Sequence, residues 1–514
     1  MTMHVGLAVH RNAKHNPKAK VIFGQRPQTY EELEDRSNQI ANLLNSYNWG
    51  KGERVAVLLP NRPEIVELIT GISKASLIYV GLNFRLGQAE LTQIFENCEP
   101  CAIVTDSEHL PQVQQIATKS SIPVFDISTS DWDTNIEQGS KELPDSFYSI
   151  KPDDDFCIVY TSGTTGRPKG VLFDHKRVLQ HATITCLEYD ITPQSRYLIQ
   201  IPHNSSVNIT MLPCLTIGAA MGFADSRNFN PIEFAQQIKD NSVTHTFLVP
   251  TQLMRLLEKL PKSEDKSLST LVTLGYGSSP ISPNRLKELV SRFGPIFNQL
   301  YGMAEIASIG TILSKDDHLK GLSKNLKLLE SCGRPSFGVH VRVIDENNKS
   351  IEEGSRGEVV FSGPHVMKGY FRDPERTQQV LIDGWMHSGD IAEVDSNGFI
   401  YIVDRKKNLI IRGGLNIAPT EIENVLYRHD DVLEASVVGV PDPEWGEGIV
   451  AVIALKSGSE VSTNELLQMC KESELTSIKI PERMEIWDEL PKNAVGKIAK
   501  NEIRTHFWGE GRKV

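Results

Sequence analysis

RVAVLL, residues Arg54 to Leu59, is the stretch on which the fold class turns. After the arginine every position is apolar, with no polar alternation, which is how a strand covered on both faces reads. A second run, CAIVTD (Cys101 to Asp106), has the same character. Helical patterns surround them: YEELEDRSNQIANLLNSY upstream and QAELTQIFENC between the two. The rhythm recurs at IPVFDI and at THTFLVP followed by TQLMRLLEKL. Buried strands alternating with helices predict parallel sheets with helical crossovers, an α/β architecture.

Near Ser336 the pattern changes. VHVRVIDE, GEVVFSG and GFIYIVDR are alternating strands joined by Gly, Asn and Asp turns, which predicts an antiparallel, barrel-like region. The charged segment DRKKN follows, and beyond it helices (TEIENVLYRH, TNELLQMCKE) mix with strands (EASVVGV, IVAVIAL), enough for a small α+β domain. No internal repeat or low-complexity tract is evident.

A chain of 514 residues exceeds one hydrophobic core, so two or more domains are expected. With 39% hydrophobic and 23% charged residues, disorder is not indicated. A formal net charge of −11, with no long basic run, argues against nucleic acid as partner. An anionic ligand must then be met by local cations. The N-terminus lacks an apolar secretory core, and no apolar run reaches the ~18 residues that span a bilayer. The seven scattered cysteines suit reduced thiols in a cytoplasmic protein. The lone C-x-x-C at Cys98 and Cys101 reads as incidental, without a second pair to complete a metal site.

The densest chemistry lies in YTSGTTGRPKG, Tyr160 to Gly170. Small residues let backbone N–H groups approach an oxyanion, hydroxyls add donors, and Lys169 adds a mobile charge. The stretch is not a Walker A loop, because Gly163 and Gly166 are too close and Gly170 replaces the required hydroxyl after the lysine. Four further stretches follow: NQLYGMAE (Asn298 to Glu305), WMHSGD (Trp385 to Asp390), YIVDRKKNLIIRGGLNIAPTEIE (Tyr401 to Glu423) and LPKNAVGKIAK (Leu490 to Lys500). Together they offer a phosphate cradle, a carboxylate for Mg²⁺, an acid for ribose hydroxyls and cations for a developing pentacoordinate phosphorus.

In these motifs, in this order, the chain resembles the adenylate-forming superfamily of acyl-CoA synthetases, adenylation domains and firefly-type luciferases, from QTYEELEDRSNQIANLL (Gln28 to Leu44) to GKIAK. The resemblance implies a large N-terminal domain, residues 1–404, a hinge at 405–407 centred on Lys407, and a mobile C-terminal domain, 408–514. It places Thr161, Ser162, Gly163, Thr164, Thr165, Gly166 and Lys169 around the ATP phosphates. Adenine would lie between Gly277, Ser278, Ser279, Pro280 and Tyr301, with Asn298, Gly302, Met303, Ala304 and Tyr401 completing the nucleotide site. Asp390 would take both ribose hydroxyls with help from Arg405. Glu305, with Thr161, would hold Mg²⁺. Lys497 would bridge the acid and the α-phosphate, and with Glu305, Thr165 and His203 forms the catalytic set. His203, Asn204, Tyr276 and Gly277 would border the acyl pocket; in an alternative register Ser205 replaces His203. Gly413, Gly414, Trp445 and Lys479 would meet coenzyme A.

Two departures stand out. Ala304 replaces the usual threonine before Glu305, removing a hydrogen bond of roughly 1 kcal/mol. QIPHNSSVN (Gln200 to Asn208) replaces the more usual P-x-F-H pattern. The expected function is a carboxylate–CoA ligase that forms an acyl-AMP and then a thioester, using ATP, Mg²⁺ and coenzyme A. Its acid is aryl or medium-chain, with fatty acid the alternative; Tyr276 would shorten the pocket. The rival is a stand-alone aryl-acid adenylating enzyme with a carrier protein as partner, because His203-Asn204 resembles the His-Asn pair of that group. Trp445 weighs towards CoA. A non-catalytic nucleotide-binding module is disfavoured by Glu305 and Lys497, and a homodimer is an allowed assembly.

Overall fold

The strand Arg54–Leu58 is buried along its length and pairs in parallel with Ile78–Leu82 on one side and Ala102–Thr105 on the other. That double pairing explains its unbroken apolar run. The helix before it, Tyr30–Ser46, starts at a capping box between Thr29 and Glu32 and buries Leu33, Ile40 and Leu44. The computed structural model describes residues 3–161, 168–206, 210–225, 227–492 and 498–508, apart from the side chains of Ser205 and Ser206.

Among the described residues the strands form four sheets. One is seven-stranded, with a parallel centre and two antiparallel strands, Lys169–Asp174 and Gly369–Tyr370, added at one edge. The second is nine-stranded and parallel through its middle, from Phe297–Tyr301 across Thr273–Gly277 and His245–Leu248 to Lys20–Ile22. The third is antiparallel and holds His340–Ile344, Gly357–Ser362, Trp385–Val394 and Ile400–Arg405, where the alternating pattern predicts a barrel-like region.

A 3₁₀ turn at Lys406–Asn408 leads into the fourth sheet, which begins at Ile410. This sheet and its helices close over a core of their own, including Ile410, Ile422, Leu426, Val437, Ile453 and Leu466. The molecule is therefore a large α/β domain with an antiparallel sheet, followed by a small α+β domain. No helix among the described residues is long and apolar enough to cross a membrane. The seven cysteines are free and buried or half-buried, and burial pushes the Cys98 and Cys101 thiols up to about 12.

Candidate active site

A cleft of about 1520 Å³ separates the two domains. That is larger than a pocket for one small ligand and has room for a nucleotide and an acid together. The end expected to take phosphate is built by a hairpin. Thr161 closes the strand Asp155–Thr161, Lys169 opens Lys169–Asp174, and the two are antiparallel register partners. Ser162, Gly163, Thr164, Thr165 and Gly166, predicted to wrap phosphate, lie outside the described residues, as does Lys497. Lys169 Nζ sits 5.3 Å from the centre of the Tyr370 ring. Burial holds this ammonium below the usual lysine range, with Glu305 pulling the other way.

Glu305 itself is buried in the turn Ala304–Ile306. The Tyr370 hydroxyl donates to its Oε1 at 2.6 Å. Tyr370 is a site residue that the motifs did not announce; it belongs to MKGYFRD, a stretch with no chemical pattern of its own. Among the described residues no three His, Cys, Asp or Glu side chains cluster to hold a metal. A single buried carboxylate still fits Mg²⁺, which takes one or two carboxylates and completes its shell with phosphate oxygens and water.

Where the nucleoside is expected, glycines shape the structure. A Cβ on Gly277 would lie 2.3 Å from the Leu300 carbonyl oxygen, and one on Gly302 would lie 2.4 Å from that of Ser308, so neither position admits a side chain. Ser278 carries a φ of +84°, a strained value for a residue with a Cβ. It lines the cleft with Ser279, Pro280, Gly302, Met303 and Ala304. Opposite, Asp390 and Arg405 are register partners on adjacent strands, and Arg405 Nε stands 3.2 Å from Asp390 Oδ1. Tyr301 donates its hydroxyl to Asp390 Oδ2. Two other predicted nucleotide residues are engaged elsewhere. Asn298 is buried between the Glu188 carbonyl and the Lys315 N–H. Tyr401 donates to Asp395 and lies under Lys327, and neither residue lines the cleft.

The acyl side requires corrections. His203 is buried beneath the cleft wall, with Nδ1 2.8 Å from the Tyr79 hydroxyl and Nε2 2.9 Å from the Leu59 carbonyl. Burial lowers its pKa to about 4, so the ring is neutral and fully engaged. Tyr276 likewise does not shorten the pocket. Its ring is fully buried in the core, with its hydroxyl on Gln299 and His318. Asn204 does line the cleft, and its Oδ1 is buried without a hydrogen-bond partner among the described residues. An apolar wall of Phe247, Val249 and Met254 faces the same space. It comes from THTFLVP and the helix after it, whose apolar run reads simply as core strand.

The residues predicted for coenzyme A lie elsewhere on the small domain. Gly413 and Gly414 have φ of +54° and +79° between the strands Ile410–Arg412 and Leu415–Ile417. A Cβ on Gly413 would be 2.9 Å from the Trp445 ring, which is 41% exposed, and the Arg412 guanidinium lies 5.3 Å from that ring's centre. None of these residues lines the cleft. The small domain instead presents Thr420, Tyr427, Lys492 and Lys500 to it. Lys479 pairs with Glu421. Lys407, in the connecting turn, does line the cleft; burial, reinforced by Arg405 and Lys169, lowers its pKa to about 8.

A buried carboxylate beside a lysine, a carboxylate held by a tyrosine and an arginine, and a side-chain-free slot between them suit a nucleoside triphosphate. Comparison with known proteins agrees. Residues 9–371 match the family of AMP-binding enzymes, and residues 421–497 match the AMP-binding enzyme C-terminal domain. The chain belongs to the AMP-binding enzyme family. It is 33% identical to a medium/long-chain-fatty-acid–CoA ligase of Mycobacterium tuberculosis, over 98% of this chain and 90% of that protein. It is 35% identical to a feruloyl-CoA synthase of an Amycolatopsis species, over 97% and 98% respectively. Among solved structures, the o-succinylbenzoate CoA synthetase of Bacillus subtilis, in complex with its acyl-adenylate intermediate, matches with a TM-score of 0.85 at 28% identity, covering 100% of this chain and 99% of that one.

Proposed function

We propose that this protein is an ATP-dependent carboxylate–CoA ligase. The reading is carried by one observation: Lys169, Glu305 and Arg405 share a cleft with the apolar wall of Phe247, Val249 and Met254, and Arg405 and Tyr301 together hold Asp390 just behind its lining. In the first half-reaction an oxygen of the acid's carboxylate attacks the α-phosphorus. The bond to the bridging oxygen breaks, and pyrophosphate leaves. Asp390 and Arg405 hold the ribose, and Lys169 meets the phosphates. Glu305 would hold Mg²⁺, which neutralises charge on the phosphate oxygens. Lys497 would place a cation where negative charge grows.

In the second half-reaction the thiolate of coenzyme A attacks the acyl carbonyl, and AMP departs with the electron pair of the anhydride bond. The Gly413–Gly414 turn and Trp445 would serve this step after the small domain reorients about Lys407, because in the present arrangement they face away from the cleft. The acid is aryl or otherwise carries a hydrogen-bond donor, a reading supported by the buried, unpartnered Oδ1 of Asn204. The relatives named for fatty and for feruloyl acids span both chemistries. A pyrophosphate-release screen over fatty and aromatic acids, with and without coenzyme A, tests the proposal. Adenylation of an acid without any CoA-dependent thioester would transfer the function to carrier-protein loading.

A further inference from the structure

Arg356, just before the strand Gly357–Ser362 of the large domain, reaches across the domain boundary. Its Nε donates to Glu393 Oε1 at 2.8 Å, and its Nη2 donates to Glu421 Oε1 at 2.7 Å. Glu393 lies on the strand Trp385–Val394 of the same domain, whereas Glu421 is in the first turn of the helix Pro419–Leu426 of the small one. The neighbouring Thr420 donates its N–H and its hydroxyl to Asp404 Oδ2, at 3.2 and 2.7 Å. Both ties therefore converge on the start of one helix, and that helix and its C-cap also supply Thr420, Glu423 and Tyr427 to the cleft wall.

We infer that Arg356 is a positioning residue for adenylation: its bond to Glu421 holds the small domain in the orientation in which Lys492 and Lys500, paired with Glu434 and Glu423, line the cleft. The inference rests on the two half-reactions proposed above. What marks this pair as a reversible catch is the partner each charge keeps when it opens. Glu421 retains Lys479 on its own domain, and Arg356 retains Glu393 on the other. Neither charge is stranded by separation, so the usual penalty for breaking a partly buried pair is avoided. The Asp404–Thr420 tie lies closer to the connecting turn and, among the described residues, has no such substitute on the Thr420 side. A half-exposed pair biases an equilibrium by up to about fivefold, enough to choose between two orientations of similar energy.

The test uses Arg356→Ala, Glu421→Gln and the double variant in the full-length enzyme. Two rates are read: ATP–pyrophosphate exchange, and thioester formation from supplied acyl-AMP. Energy transfer between a dye on each domain reports the orientation. Arg356→Ala should slow exchange by about three- to fivefold, spare or quicken thioester formation, and shift the dye distance. The double variant should lose no more than the single one, and Arg356→Lys should recover part of the loss. Equal loss in both half-reactions, or an unchanged dye distance, would overturn the inference. A parent that exchanges pyrophosphate but makes no thioester would refute the CoA reading alone, since exchange and dye distance still test the catch.

Discussion

Tyr301 and Asp390 come from different sheets of the large domain, yet the Tyr301 hydroxyl reaches Asp390 Oδ2 at 2.7 Å. The contact stitches the end of the parallel strand Phe297–Tyr301 to the antiparallel strand Trp385–Val394. It also turns the carboxylate so that Oδ1 faces Arg405. Asp390→Ala should raise KM for ATP by tenfold or more, since hydrogen bonds to a charged group contribute about 1.5–3 kcal/mol. Tyr301→Phe should cost less, because the carboxylate survives. Initial-rate kinetics at saturating acid check this; an unchanged KM in Asp390→Ala would remove the residue from the nucleotide site.

The two half-reactions should separate by mutation. Lys497→Ala should cripple acyl-AMP formation and leave thioester formation from supplied acyl-AMP largely intact. Gly414→Leu and Trp445→Ala should do the reverse. At Gly414 the φ of +79° disfavours any side chain, so its thermal midpoint must be measured beside its kinetics. Trp445→Ala removes an exposed face without touching the backbone and should act through KM for coenzyme A. Loss of both half-reactions in the lysine variant would refute its assigned role.

Lys407 should couple nucleotide binding to proton uptake. Its pKa of about 8 lies below the ordinary lysine value of 10.5, so near pH 8 about half the molecules lack this charge. An anionic ligand favours the ammonium form and raises the pKa, so binding draws protons from solution, up to about half a proton from this group at pH 8. Lys169, shifted in the same direction, adds with the same sign. At pH 6 Lys407 is already protonated, and its share of the uptake should vanish. Calorimetry of ATP binding in two buffers of different ionisation heat reads the number directly. Lys407→Met should reduce the uptake at pH 8, and proton release by the parent would contradict this account.

Substrate choice should depend on Asn204 and not on His203. A buried oxygen without a partner carries a penalty of roughly 1–3 kcal/mol, which a donor on the acid would relieve. Hydroxybenzoates should therefore exceed benzoate in kcat/KM, with octanoate and palmitate lower still. Asn204→Leu should narrow the gap between hydroxylated and plain acids. A parent enzyme that prefers palmitate, with that preference unchanged in Asn204→Leu, would show that the amide does not select the substrate.

The architecture was legible from local pattern, because buried parallel strands, alternating strands and helices each leave a different period. The phosphate stretch and the two carboxylates were legible because such chemistry needs particular residue types close together. The direction in which a side chain points was not. Tyr276 sits one position from Gly277 on a strand, and neighbours there face opposite ways; the Gly277 position abuts the Leu300 carbonyl and the Tyr276 ring enters the core. His203 and Asn204, on the short helix His203–Ser206, also diverge: the imidazole is satisfied by Tyr79 and Leu59, whereas the Asn204 Oδ1 is buried without a partner among the described residues. Asn298 belongs to a nucleotide motif by spacing but serves the Glu188 and Lys315 backbones. The Tyr370–Glu305 and Arg356–Glu421 bonds join residues 65 positions apart, and no local period encodes such a pairing.

The passage from one domain to the other is very short. Arg405 ends a strand anchored to Asp390, and Ile410 begins the next sheet. Five residue steps, fully stretched, span no more than about 18 Å. The small domain is thus on a leash shorter than its own width, with one end fastened to Asp390. It cannot drift away, so under the two proposed half-reactions each face it offers would return to the same small space. Lengthening the leash by a flexible insertion after Asn408 would leave every side chain in place and still dilute the second catalytic surface, making a local encounter behave like a search through solution.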